Sequence, residues 1–167
     1  MTQELQVTVT EVRDDGESLV LEINLHNPTE RTLHAYATVR AIRYDPATQV
    51  VEVQLSDRGL SEPWLAGLFI RPRFTSIDPS GDTVLALSVP RVITRLAPGQ
   101  NQISATFERH PVHEAQYVDV EVAWSGTPYY PDPRRRAAGP RAALVAWAQG
   151  FARHRYPRNR GNAVGPG

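Results

Sequence analysis

Between Thr32 and Leu55 the chain reads TLHAYATVRAIRYDPATQVVEVQL, two alternating runs joined by Asp45-Pro46-Ala47-Thr48. Side chains of a strand point alternately to opposite faces, so such runs predict a β-hairpin with one face turned to a core. Leu33, Ala35, Ala37, Val39 and Ala41 fall on one face, and His34, Tyr36, Thr38, Arg40 and Ile42 on the other. After the turn, Val51, Val53 and Leu55 point inward and Glu52 and Gln54 outward, with Arg40 or Arg43 placed to face Glu52. The Ala-lined face is too small to complete a core. It calls for bulky groups from elsewhere, and Trp124, Trp64 and Trp147 are the candidates.

The same period recurs up to Ser125. Leu5, Val7 and Val9 alternate, and Val12 follows out of phase, as a β-bulge would leave it. Asp14-Asp15-Gly16-Glu17-Ser18 has hairpin-turn chemistry, and its acids lack the ligand spacing of a calcium loop. Leu19, Leu21, Ile23 and Leu25 form the next inward face, closed by Asn27-Pro28. Further strands are expected over 71–77, 84–89, 103–107 and 117–124, separated by Asp78-Pro79-Ser80-Gly81, by Leu96-Ala97-Pro98-Gly99 and by a 110–115 loop. The expectation is an all-β, antiparallel sandwich of about eight short strands over residues 1–126. Its Pro-Ser-Gly and Pro-Gly turns, each leading into an alternating strand, resemble those of immunoglobulin-like and fibronectin type III-like domains. That resemblance implies a fold and no particular activity.

The composition changes at Gly126. Residues 127–138 form a Pro- and Arg-rich linker. Over 139–157, Leu144, Trp147, Ala148 and Phe151 fall at helical spacing and predict a C-terminal amphipathic helix, followed by a fraying tail over 158–167. Charge divides at the same place. Residues 1–126 hold 10 Arg against 17 acids, a net of −7, whereas residues 127–167 hold 8 Arg and Asp132, a net of +7. There is no Lys, as in proteins from GC-rich genomes.

Several function classes find no support. With no cysteine there is no disulfide, thiolate metal site or cysteine nucleophile. No phosphate-binding Gly-rich loop, dinucleotide fingerprint or Gly-x-Ser-x-Gly elbow occurs. No apolar run is long enough to span a membrane as a helix. The stretch MTQELQVTVTEV lacks the basic and apolar regions of a secretory signal, which leads to the expectation of a cytoplasmic protein. No cofactor is implied.

What remains points to a non-catalytic protein-binding or assembly module. Two surfaces would make contact: the irregular 60–74 loop, with Trp64, Leu68 and Phe69, and the basic tail, with Arg134, Arg135, Arg136, Leu144, Trp147 and Phe151. The tail helix can equally lie on its own sandwich. A lesser alternative is metal binding or metal-dependent catalysis at His110, His113 and Glu114. His26 and His34, flanking Asn27–Arg31, are candidates for acid–base chemistry. Association of the Arg-rich tail with an anionic membrane or nucleic acid is a third possibility. The acidic body opposes binding to phosphates, and Arg141 and Arg155 fall close to the apolar side of the predicted helix.

Overall fold

The computed structural model describes residues 4–56, 72–96, 107–129 and 147–158. These are organised as eleven strands and one short 3-10 turn over Val112–Glu114. The strands are β1 (Gln6–Asp14), β2 (Ser18–His26), β3 (Leu33–Tyr36), β4 (Ala41–Asp45), β5 (Val50–Leu55), β6 (Phe74–Ile77), β7 (Asp82–Pro90), β8 (Ile93–Leu96), β9 (Phe107–His110), β10 (Tyr117–Ser125) and β11 (Gly150–Pro157).

Strands β1, β2 and β7 form one antiparallel sheet in that order. The expected bulge is present: the β1–β2 register slips between Val9 and Glu11, which brings Val12 back to the inner face opposite Leu21. The hairpin turn depends on its acids. Asp14 accepts the Gly16 N–H (3.0 Å), and Asp15 accepts those of Glu17 and Ser18 (2.9 and 2.7 Å). Gly16 sits at φ +91°, a conformation that costs a residue without Cβ nothing.

The second sheet is centred on β10. One edge of β10 pairs with β5 along Tyr117–Val122 and then with β3 at Trp124 and Ser125; the other edge pairs with β11 along its length. β4 extends the sheet beyond β5, and β6 beyond β3. The β5–β10 pair is parallel, contrary to the wholly antiparallel expectation. A parallel pair needs a long crossover, and residues 56–116, carrying β6 to β9, provide it.

The inner faces of the two sheets meet in one core. Leu19, Leu21, Ile23 and Leu25 of β2 belong to it, together with Val51, Val53 and Leu55 of β5 and Val118, Val120 and Val122 of β10. The architecture is sandwich-like, with β8 and β9 as a separate two-stranded ribbon.

Two expectations require correction. The first concerns the strand that opens the 32–55 hairpin. It splits at residues 37–40: β3 turns away to pair with β6 and β10, and only β4 pairs with β5. The Ala37 N–H donates to Arg73 O and the Arg40 N–H to Gln54 O, so the two halves serve different partners. Parity inverts across the break. Leu33 and Ala35 face inward in β3, but Ile42 and Tyr44 face the core in β4, opposite Val53 and Val51. The second concerns the C-terminal helix expected over 139–157. Its part from Gly150 to Pro157 is strand β11, in antiparallel register with β10. Ala152 turns inward with Gly150, His154 and Tyr156, while Phe151, Arg153 and Arg155 turn outward; this period-two pattern overrides the helical spacing that ended at Phe151.

Trp124 explains both the alanine of β3 and the glycine that opens β11. On the inner face its neighbours in register are Ala35 on one side and Gly150 on the other. A Cβ built on Gly150 would lie 2.7 Å from the indole, closer than carbon atoms tolerate. Gly150→Ala is therefore expected to destabilise the protein by about 1–3 kcal/mol, the range for overpacking a core. Urea unfolding followed by tryptophan fluorescence would measure it, and an unchanged midpoint would mean that the indole does not rest on this glycine.

Candidate functional site

The outer face of the β4–β5–β10–β11 half-sheet carries two rows of side chains, polar except for Ala41, each formed by residues directly opposite one another. One row runs Arg43, Glu52, Asp119, Arg155; the next runs Ala41, Gln54, Glu121, Arg153. A groove of about 360 Å³ lies along them. At the β11 end the charges are paired. Arg155 grips Asp119 with a two-pronged contact, Nε to Oδ1 at 2.7 Å and Nη2 to Oδ2 at 2.8 Å. The hydrogen bond and charge of Asp119 hold the Arg155 proton more tightly than usual. The guanidinium also lies 5.5 Å from the centre of the Tyr117 ring. Arg153 Nη2 is 2.6 Å from Glu121 Oε2, and the Ser56 hydroxyl donates to the other oxygen of Glu121 at 3.2 Å. Gln54, buried beside Ser56, donates to its Oγ at 2.9 Å.

The middle of the first row is different. Glu52 and Asp119 are directly opposed across the parallel β5–β10 pair. Like charges in that relation destabilise a sheet. Asp119 is compensated by Arg155, but among the described residues no ion pair reaches Glu52, whose carboxylate is exposed. Glu52 thus makes no contact ion pair among the described residues, and its charge acts on Arg155 from across the groove.

Of the residues expected to contact a partner, the described ones, Trp147 and Phe151, do not line this groove. Trp64, Leu68, Phe69, Arg134, Arg135, Arg136 and Leu144 lie outside the described residues. Trp147 sits on the outer face of β3 and β6. Its indole N–H donates to Thr127 O at 2.7 Å, and its ring meets Phe74 edge-on at 4.9 Å. Tyr129 stacks on Phe74 at 5.4 Å, and Tyr36 closes the cluster from beneath. Phe151 stands beside Ala123 on β11, partly buried against the chain's own core. Arg158, assigned to a fraying tail, donates from its backbone to Gln116 O and from Nη1 to His113 O and Ala115 O.

The histidines are held by separate environments. His110 is buried on β9, edge-on to Tyr44 at 5.9 Å, with Nε2 3.4 Å from Glu108 Oε2. The backbone N–H and ring Nδ1–H of His113 both point at Arg91 O (3.0 and 3.1 Å), and Glu114 is exposed. Among the described residues no three acidic or histidine side chains converge as a metal site would require. His34 Nδ1 is 3.0 Å from Ser76 Oγ, its cross-strand neighbour, whereas His26 Nδ1 is 3.1 Å from Asp82 Oδ1. The two histidines expected to flank one acid–base site therefore have different partners.

Sequence reasoning placed Arg40 or Arg43 opposite Glu52, of which the register selects Arg43, and missed the rest of the ladder. The signal was available as charge at every second residue: Asp119-x-Glu121 and Arg153-x-Arg155. It was obscured because 150–157 was assigned to a helix. Comparison with protein-family models, curated proteins and solved structures yields no match. Among the described residues no helix is long and apolar enough to cross a membrane.

Several surface carboxylates are tuned by hydrogen bonds. Asp82 lies below its ordinary value of 3.8, first because Asn24 Nδ2 donates to it (3.0 Å) and then through His26. Asp14, Asp15 and Asp45 are lowered mainly by donors in their own turns. A depressed carboxylate contributes stability above its unfolded value and loses it as pH falls through the folded one. Stability is therefore expected to fall on acidification below about pH 4. Asp82→Asn should flatten that decline, which urea midpoints measured across the acid range would reveal; an unaltered slope would remove Asp82 from the linkage.

Proposed function

We propose that this chain is a non-catalytic protein-binding or assembly module built on an immunoglobulin-like β-sandwich. The carrying observation is Glu52, exposed and without a contact ion pair among the described residues, directly opposite Asp119 in an open groove bounded by Arg43, Arg153 and Arg155. An opposed pair of anions costs folding stability, and a sequence selected for stability alone would replace one of them. The chemistry that relieves it is a cation delivered from outside: a Lys or Arg side chain of a protein partner, entering between β5 and β10. Arg155 and Arg153 are already held by Asp119 and Glu121 and form the wall beside that position, so the group that fits is a single cation. The cysteine-free composition suits a cytoplasmic setting.

Glu52→Gln separates the two roles of this residue. Stability is expected to stay level or rise by about 0.2–1 kcal/mol, the size of a relieved like-charge contact. Binding is expected to weaken. Proteins retained from an extract of the source cells by the immobilised wild type at low salt should be lost from the variant. They should also elute as salt is raised, because exposed charges are screened. Identical retention by both proteins, or a Glu52→Gln variant that is less stable, would overturn the proposal.

A further inference from the structure

The two edges of the β1–β2–β7 sheet are treated in opposite ways. β1 is protected against further pairing: its bulge interrupts the ladder at Thr10, Glu11 and Arg13 place charges along it, and the Val9 N–H is taken by His154 Nδ1 at 2.9 Å. β7 has none of these devices. It pairs with β2 through nine consecutive residues without a slip, and among the described residues its second edge meets no strand. It carries no charge between Asp82 and Pro90. Val84 on this strand is 60% exposed, and Ala86 and Ser88 are exposed beside it.

The direction of the free main-chain groups follows from the register. Asn27 N–H donates to Gly81 O at 2.9 Å, continuing the His26↔Asp82 pairing by one step. Hydrogen-bonded pairs alternate along an antiparallel ladder, so the odd-numbered residues of β7 exchange bonds with β2. The even-numbered ones, Asp82, Val84, Ala86 and Ser88, point N–H and C=O away from the sheet. Pro90 obeys the same parity: the N–H it lacks is one that β2 does not need.

We propose that this edge is a homodimer interface, at which β7 pairs antiparallel with β7 of a second copy about a two-fold axis through Ala86. Two features select a second copy as the occupant. In that register Val84 meets Ser88 of the second copy and Leu85 meets its Leu87, so outward residues face outward ones and inward residues extend a shared inner face. The free groups of Val84, Ala86 and Ser88 then satisfy one another. The pairing also has a natural end: Asp82 of each copy lies opposite Pro90 of the other, which has no N–H to donate and closes the ladder. The two three-stranded sheets become one six-stranded sheet with a protected β1 at each end. This inference is independent of the charged groove, which belongs to the other sheet.

Sedimentation velocity over a wide concentration range tests it. The wild type is expected to pass from monomer to dimer as concentration rises, with amide exchange at Val84, Ala86 and Ser88 slowing in parallel. Ala86→Lys brings two cations together at the axis and is expected to weaken dimerisation about tenfold or more. Glu52→Gln is expected to dimerise as the wild type does. A wild type that stays monomeric at every concentration overturns the proposal, including the case where these amides are protected only by a strand from a different protein. A dimer in which the β7 amides still exchange freely also overturns it, and this wild-type measurement decides the question even if Ala86→Lys fails to fold.

Discussion

The seat of Trp124 between Ala35 and Gly150 is the contact on which the rest of the second sheet depends. A large indole on the inner face of a central strand leaves room only for small residues on either side. Ala35 lets β3 approach from one edge of β10, and Gly150 lets β11 approach from the other. Once β11 starts at Gly150, its register along β10 is set, because a slip by one residue would turn Arg153 and Arg155 into the core. The charged ladder of the outer face is thus a consequence of packing on the inner one. Arg155 meets Asp119 and Arg153 meets Glu121 because Trp124 admits a glycine and nothing larger.

Buried polar chemistry does for the loops what Trp124 does for the strands. Asn27 is fully buried where the chain leaves β2 for β3. Its Nδ2 donates to Arg31 O and Ile77 O at 2.7 and 2.9 Å and lies 3.1 Å from Asp78 O, and its Oδ1 accepts the backbone and hydroxyl of Thr29. One side chain therefore ties the β2–β3 connection to the β6–β7 turn, and so joins the two sheets at one end of the sandwich. Between β1 and β11, His154 does so again by accepting the Val9 N–H, which points away from β2. Both links satisfy main-chain groups that burial would otherwise leave unpaired.

Strands whose apolar residues alternate without competition were legible from the sequence. β2 and β10 follow their Leu/Ile and Val/Trp faces, and the bulge in β1 announced itself as a change of phase at Val12. Elsewhere two local signals conflicted. Leu144, Trp147, Ala148 and Phe151 satisfy a helical period, and Phe151, Arg153 and Arg155 satisfy a strand period. What favours the strand is the open edge of β10 and the acids already standing on it, which no local pattern contains. The split at residues 37–40 was hidden for a similar reason. A continuous alternation from Leu33 to Ala41 is compatible with one long strand, and only the competition between β5 and β6 for its two halves divides it. The candidate groove was invisible because it is assembled from the β4–β5 hairpin and two strands distant from it in sequence, β10 and β11.

This also changes the meaning of the charge division at Gly126. An acidic body followed by a basic tail suggests two separable parts, one seeking the other or a third molecule. The described part of the tail is instead integral to the body. Arg153 and Arg155 are spent on Glu121 and Asp119, and Arg158 on the carbonyls of His113 and Ala115. Trp147, counted as a contact residue for a partner, is occupied by Phe74, Tyr129 and Thr127 O. Over the described residues, charge segregated along the chain is thereby interleaved in space. A net charge summed over a segment says little about a surface once a strand from that segment is threaded into a sheet of the opposite sign. The informative quantity is the carboxylate that the threading leaves without a contact ion pair, and here Glu52 stands exposed in the groove.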